Sequence, residues 1–125
     1  MYEDLISNLT LNDKPDNGAF SRLADRYSTV LSSDYLAFIR LHNGANGLVG
    51  DNYLSIWPIA DVLEVTELHQ INDDPYKQFV IIGSTGYFHY GVRDRVFYEL
   101  DMIDDSYSRE MGGNFVDFLR ALKAQ

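Results

Sequence analysis

The chain contains no cysteine among its 125 residues. Without thiols it can form neither disulfide bonds nor thiolate metal sites. It also has no apolar run near the ~20 residues that a membrane-spanning helix needs. Residues 1–4, Met-Tyr-Glu-Asp, lack the basic start of a signal peptide. We therefore expect a cytoplasmic protein that does not associate with membranes.

Basic residues are scarce, with 10 Lys and Arg against 19 Asp and Glu, for a formal net charge of −9. Binding to nucleic-acid phosphates or to anionic lipids requires a concentration of Lys and Arg, so neither partner is expected. The negative charge suits a basic protein partner. It would equally keep an isolated acidic domain soluble, and both interpretations stay open.

The centre of the chain is the stretch Phe79–Leu100, which predicts a three-stranded meander. Residues 79–82, Phe-Val-Ile-Ile, form the continuous apolar run typical of a strand buried on both faces. Small residues break this run at 83–86, a second strand pattern follows at 87–92, and a third occupies 95–100. In the third, apolar Val96, Tyr98 and Leu100 alternate with a mixed set. This alternation predicts a half-solvated strand whose mixed face is outward.

Helices are predicted on both sides of the meander, because apolar residues recur at helical spacing. Residues 53–57 predict one further strand, ended by Pro58, whereas the glycines at 44–50 and the acidic residues 101–113 are interpreted as turns and loops. The predicted fold is a single α+β domain over residues 1–125, with an antiparallel or mixed sheet flanked by helices. The predicted helices span residues 2–10, 20–28, 33–43, 59–69 and 114–124.

Catalytic and metal-binding groups are not predicted. The three histidines, His42, His69 and His89, fall on different elements without a short ligand spacing, so capping or surface roles are favoured over a metal site. The adjacent pair Asp104 and Asp105 could in principle raise a carboxylate pKa for acid–base chemistry. Adjacent carboxylates in a polar loop normally stay solvated, so we predict no catalytic residue and no cofactor.

Partner-binding residues are predicted from two features. In the aromatic run at residues 87–90, strand alternation places two side chains in the core and two outside, which makes Tyr87 and His89 candidates. Packing explains this run as well as binding does. The second feature is acidic loops in which carboxylates are expected to be exposed: Asp101, Asp104 and Asp105 first, then Asp73 and Asp74.

Five short motifs follow one another along residues 20–124. A helix with an aromatic centre, Tyr-Leu-Ala-Phe at 35–38, runs into Asn43–Gly44, and a strand and helix follow at 54–68. An Ile-Gly-Ser turn then stands at 82–84, and Phe-Val-Asp-Phe-Leu at 115–119 closes the chain. In order and spacing these motifs resemble the SMI1/KNR4 family, also called the SUKH superfamily. The sequence departs from the family where Leu-Ser replaces Leu-Pro before the aromatic helix, and in the turn after Ile-Gly-Ser.

The resemblance implies a binding protein without catalytic residues. Many bacterial members look like immunity proteins that neutralise polymorphic toxins, often nucleases, whereas fungal members act in cell-wall and signalling regulation. We therefore predict an immunity-type protein that neutralises a basic, nuclease-like toxin. A regulatory scaffold of the cell-wall signalling type is the alternative, and a small enzyme acting on a cationic or sugar-like ligand is less favoured.

Overall fold

A computed structural model of the protein describes residues 3–104 and 108–125. These residues form an α+β domain in which helices pack against a single sheet. In chain order the elements are α1 (Glu3–Ile6), β1 (Leu9–Leu11), α2 (Asn17–Tyr27), α3 (Ser33–Leu41), β2 (Ala45–Val49), β3 (Asn52–Ile56), α4 (Ile59–Ile71), β4 (Val80–Ser84), β5 (Phe88–Arg93), β6 (Val96–Asp101), β7 (Ser108–Gly112) and α5 (Phe115–Lys123).

The sheet is antiparallel throughout, and its seven strands lie in sequence order from β1 to β7. The predicted three-stranded meander is confirmed as β4–β5–β6. The β5–β6 ladder runs without interruption from Phe88 opposite Asp101 to Arg93 opposite Val96. Short connections join β2 to β3, β4 to β5 and β5 to β6, as hairpin geometry allows for antiparallel strands. Helices α2 and α3 separate β1 from β2, and α4 separates β3 from β4.

The main core lies on one face of the sheet, where α2, α3 and α5 place their apolar residues. Its centre is aromatic. Phe118 in α5 stacks on Phe97 in β6 at 5.1 Å between ring centroids, and its ring meets the Tyr90 ring edge-on at 5.0 Å. Burial, and secondly the charge of Glu99, raises the pKa of Tyr90 to about 12, so its phenol stays neutral in the core.

Helix α4 packs where β3 and β4 separate. Only two residue pairs join these strands, Ser55–Ser84 and Ile56–Gly83. Beyond them the amide of Ile81 donates to the hydroxyl of Thr66 in α4, at 3.0 Å, so a side chain satisfies an amide of β4. A second, smaller cluster lies on the other face of the sheet: Tyr76, Phe79, Ile81 and Leu100, with Trp57, Val65, Tyr98 and Met102 packed against it.

Three short strands were not predicted. The expected helix over residues 2–10 is wrong beyond Ile6, because Leu9 belongs to β1 and pairs with Gly47. The glycine-rich segment interpreted as turns contains β2, and the acidic segment 101–113 contains β7. Strands of three to five residues carry almost no periodicity of their own, and their pairing with neighbouring strands defines them.

The prediction that the mixed face of β6 is solvated is also wrong. Phe97 is fully buried in the main core and Glu99 is buried on the same face, where Arg109 Nη2 lies 3.4 Å from its carboxylate. Leu100, on the opposite face, is buried in the second cluster. Both faces of β6 are covered, since Phe97 faces the main core and Leu100 faces the second cluster, which includes Tyr76 and Phe79.

The predicted starts of α3, α4 and α5 are confirmed, whereas α2 begins at Asn17, three residues before the predicted start at residue 20. Ser32 caps α3, and Asn114 caps α5 by accepting a hydrogen bond from the amide of Asp117 at 2.7 Å. Pro58 precedes the first residue of α4, as its missing amide and fixed φ favour. Within residues 3–104 and 108–125, no helix combines the length and the apolar character that crossing a membrane demands.

Candidate functional site

Tyr76 connects the two acidic loops, which the sequence predicted as separate clusters. Its hydroxyl donates to the backbone carbonyl of Asp101 and lies 3.4 Å from that of Asp104, while its amide donates to the carboxylate of Asp74 at 2.9 Å. The Tyr76 side chain is buried, and its ring contacts those of His69 and Phe79. The loop at residues 72–78 and the segment at 101–104 therefore lie side by side.

Large apolar side chains are exposed beside these acids. Because Phe88 pairs with Asp101, the turn that carries Tyr87 lies next to the segment that follows β6. Tyr87 is 87% exposed and Ile103 is 99% exposed. We call this surface the acidic–aromatic end, and it consists of Asp73, Asp74, Tyr87, Asp101, Ile103 and Asp104.

The carboxylates of this end have different roles. Asp74 and Asp101 are only half-exposed, contrary to the prediction of exposed loop acids. Asp74 Oδ2 lies 2.6 Å from His69 Nδ1, and Asp101 Oδ1 accepts from the amides of Ile103 and Asp104 at 2.8 and 3.1 Å. These two acids fix the shape of their own loops, as Asx turns do.

Asp73 and Asp104 are the exposed acids of the acidic–aromatic end. Asp73 adopts a positive φ of 52° and pairs with Lys77. The hydrogen bond from Lys77, followed by its charge, holds the pKa of Asp73 below its ordinary value. Asp105 lies outside the described residues. Among the predicted acids that the structure describes, Asp73 and Asp104 are thus the exposed ones.

His89 occupies a different environment from Tyr87. Its ring packs edge-on against Trp57 at 5.1 Å, and Trp57 Nε1 donates to Ser84 Oγ at 3.2 Å. The Nδ1 atom of His89 is buried without a hydrogen-bond partner among the described residues. Burial, and secondly the charge of His69, lowers the pKa of His89. His89 is therefore a half-buried neutral ring behind the surface that Tyr87 presents.

The three histidines lie apart from one another in different surroundings, and two of them have polar partners. His42 Nδ1 lies 3.3 Å from the carbonyl oxygen of Asn12, and His69 pairs with Asp74. Among the described part of the chain, no group of three or more His, Asp or Glu side chains is arranged to hold a metal ion. The chemistry that this surface offers is ion pairing and apolar contact.

A small pocket at the start of α4 was missed by the sequence reasoning. It has a volume of about 270 Å³ and is lined by Trp57, Asp61, Glu64 and Val65. The available signal was the helical spacing of Asp61, Glu64 and Val65 directly after Trp57–Pro58, which places the three on one side of α4. We call it the Trp57 pocket.

Compared with known proteins, the sequence matches no protein-family model and no curated protein. The resemblance to the SMI1/KNR4 family rests on the order of its motifs and stays a prediction.

Proposed function

We propose that the chain is a non-enzymatic, immunity-type protein that binds and neutralises a basic, nuclease-like toxin domain through its acidic–aromatic end. The observation that carries the proposal is the contact between Tyr76 and Asp101, which brings two acidic loops together beside the exposed Tyr87 and Ile103. A surface with both kinds of side chain can supply long-range attraction as well as short-range contact.

The apolar residues would provide the lasting contacts. Tyr87 and Ile103 are large, almost fully exposed and adjacent to polar side chains, as in apolar surface patches that bind other proteins. Tyr is enriched at binding hot spots because it buries a large area at a low cost in side-chain entropy. Truncating such an anchor acts mainly on the dissociation rate.

The acids would provide steering. A domain of net charge −9 attracts a cationic partner over distances comparable to the Debye length, and Asp73 and Asp104 present carboxylates to solvent at the proposed surface. The hydrogen bonds of Asp74, Tyr76 and Asp101 hold both loops in place before a partner arrives. Preorganisation of this kind lowers the ordering cost of association.

The motif resemblance gives the proposal its biological setting, because many bacterial members of the SMI1/KNR4 family look like toxin immunity proteins. A regulatory scaffold could use the same surface. The identity of the bound partner separates the two: a basic toxin domain supports the immunity function, and a signalling or cell-wall protein supports the scaffold.

Co-purification from the native cell tests the proposal. The tagged chain should capture a basic protein, and the double variant Tyr87→Ala/Ile103→Ala should lose it. The matched control is Leu48→Ala/Tyr53→Ala, which removes another exposed aliphatic–aromatic pair, opposite each other on β2 and β3. Capture that survives in the first variant, or turnover of a substrate by the purified chain, would contradict the proposal.

Association kinetics across a salt series test the electrostatic part. With the captured partner, rising salt should slow association far more than it speeds dissociation. The variant Asp104→Lys/Asp105→Lys should lower the association rate, and Tyr87→Ala should raise the dissociation rate. An association rate that does not change with salt would remove charge from the mechanism.

A further inference from the structure

The Trp57 pocket has a rigid aromatic wall. Trp57 lies between β3 and α4, is half-buried and packs against both apolar clusters. The hydrogen bond from its indole to Ser84 and the edge-on ring of His89 fix its orientation. With Val65 beside it, Trp57 gives the pocket an apolar lining.

Two carboxylates complete the lining. Asp61 and Glu64 are exposed on α4, three residues apart and thus on the same side of the helix. No described residue forms a hydrogen bond or ion pair with either carboxylate, whereas Glu67 on the same helix pairs with Arg26. The pocket therefore combines an aromatic surface with two unpaired negative charges.

We propose that the Trp57 pocket binds an arginine side chain of the basic partner. The inference rests on the proposed function and names a chemical group that the partner must present. A guanidinium stacks on an indole and donates hydrogen bonds in a planar fork to carboxylates, so one side chain uses both parts of the lining. The volume of about 270 Å³ lies below the range of drug-sized ligand sites and suits a single side chain.

Helix α4 connects this pocket to the acidic–aromatic end. Leu68 follows Asp61 after seven residues, and both Leu68 and Ile71 are exposed. Ile71 is the last residue of the helix, and Asp73 and Asp74 follow it. Since α4 has 13 residues, it is about 20 Å long. One partner surface of ordinary size can span that distance and contact both places.

The pocket can be tested without the partner, because Trp57 is the chain's single tryptophan. Its indole N–H gives one NMR signal that reports on the pocket directly. Titration with N-acetyl-arginine amide should move this signal saturably. N-acetyl-citrulline amide, a neutral molecule of nearly the same shape, should leave it unmoved, and N-acetyl-lysine amide should bind more weakly.

Charge removal provides the matched variants. In Asp61→Asn/Glu64→Gln the arginine probe should bind about tenfold more weakly, because two ion pairs are lost. The control Asp25→Asn/Glu110→Gln makes the same charge change at exposed positions on α2 and β7 and should bind the probe as the parent does. In complex with the captured partner, the first variant should weaken binding and the control should not.

The outcomes separate this inference from the proposed function. If arginine moves the indole signal no more than citrulline, or binds equally to Asp61→Asn/Glu64→Gln, the arginine site is refuted, even when a basic partner is captured. Equal binding of lysine and arginine would refute selectivity for the guanidinium. If arginine binds as expected but no basic protein is captured, the pocket chemistry stands and the toxin-neutralising function falls.

Discussion

The carboxylate of Asp34, in the first turn of α3, accepts a hydrogen bond from the amide of Phe115 at the start of α5, at 2.9 Å across 81 residues of sequence. It also accepts from the amide of Val116 at 3.1 Å, from the amide of Tyr35 at 2.9 Å and from the hydroxyl of Ser32 at 2.7 Å. One anion thus satisfies amides at two helix starts, where the helix dipoles favour negative charge.

This contact predicts that Asp34→Ala destabilises the fold by about 2–4 kcal/mol, because it removes charged hydrogen bonds at two helix starts. Urea unfolding measures the change. Asp25→Ala, at an exposed position of α2, is the control and should stay within about 0.5 kcal/mol of the parent. Equal stability of the two variants would show that the hydrogen bonds between Asp34 in α3 and the start of α5 contribute little to the stability of the fold.

Phe118→Ala should cost about 3–5 kcal/mol, since the ring is fully buried between Phe97 and Tyr90 and its loss leaves a cavity in the aromatic core. Thermal or chemical unfolding gives the value. Tyr87→Ala removes an aromatic ring that is 87% exposed and should change stability by less than about 0.5 kcal/mol. A Phe118→Ala protein as stable as its parent would be incompatible with this core.

Alanine substitutions at Gly83 and Gly86 should have opposite effects on the free energy of unfolding. A Cβ at Gly83 would lie 2.3 Å from the carbonyl oxygen of Ser55, so β3 and β4 would have to separate, at a cost of about 1–3 kcal/mol. A Cβ at Gly86 would meet no atom within 4 Å. Gly86→Ala should therefore be neutral or stabilise by up to about 1 kcal/mol through the unfolded chain. Unfolding curves of both variants test the pair, and equal effects would contradict the close strand approach.

His89 should make stability depend on pH. The pKa of His89 is lowered from 6.5 in the folded protein, so below pH 6.5 the unfolded chain binds more protons at this residue than the folded protein does. The stability associated with the neutral ring is complete above pH 6.5 and is lost as pH falls toward the folded pKa.

The variant His89→Gln isolates this contribution. Between pH 7.5 and pH 5.5 the parent should lose more stability than His89→Gln, with a difference in slope of at most about 1.4 kcal/mol per pH unit. Leu48→Ala, which changes an exposed side chain that carries no ionisable group, is the control and should keep the slope of the parent. Parallel pH profiles for the parent and His89→Gln would contradict a depressed pKa at this position.

The candidate site was predictable in its parts and not in its assembly. The exposure of Asp73 follows from its place in a polar loop, and that of Tyr87 agrees with the strand alternation that placed it outside the core. The hydrogen bonds by which Asp74 and Asp101 hold their own loops could not be predicted from the sequence, because each depends on a partner that only the loop geometry supplies. The contact of Tyr76 with the 101–104 segment could not be predicted either, since a single tyrosine in a polar connecting segment carries no sequence signal for its partners.

The sequence by itself determined the elements whose signals are local. The meander at 79–100, the helices α3 and α5 and their caps at Ser32 and Asn114 depend on side-chain periodicity and hydrogen bonds within a few residues. Tertiary structure alone decided the strands β1, β2 and β7 and the burial of Glu99. It also decided the contact of Asp34 with Phe115 and the meeting of two acidic loops at Tyr76. Apart from the local pairings of β2 with β3 and of β6 with β7, these features arise from residues far apart in the chain. A local sequence pattern does not show which distant groups will form hydrogen bonds or pack together.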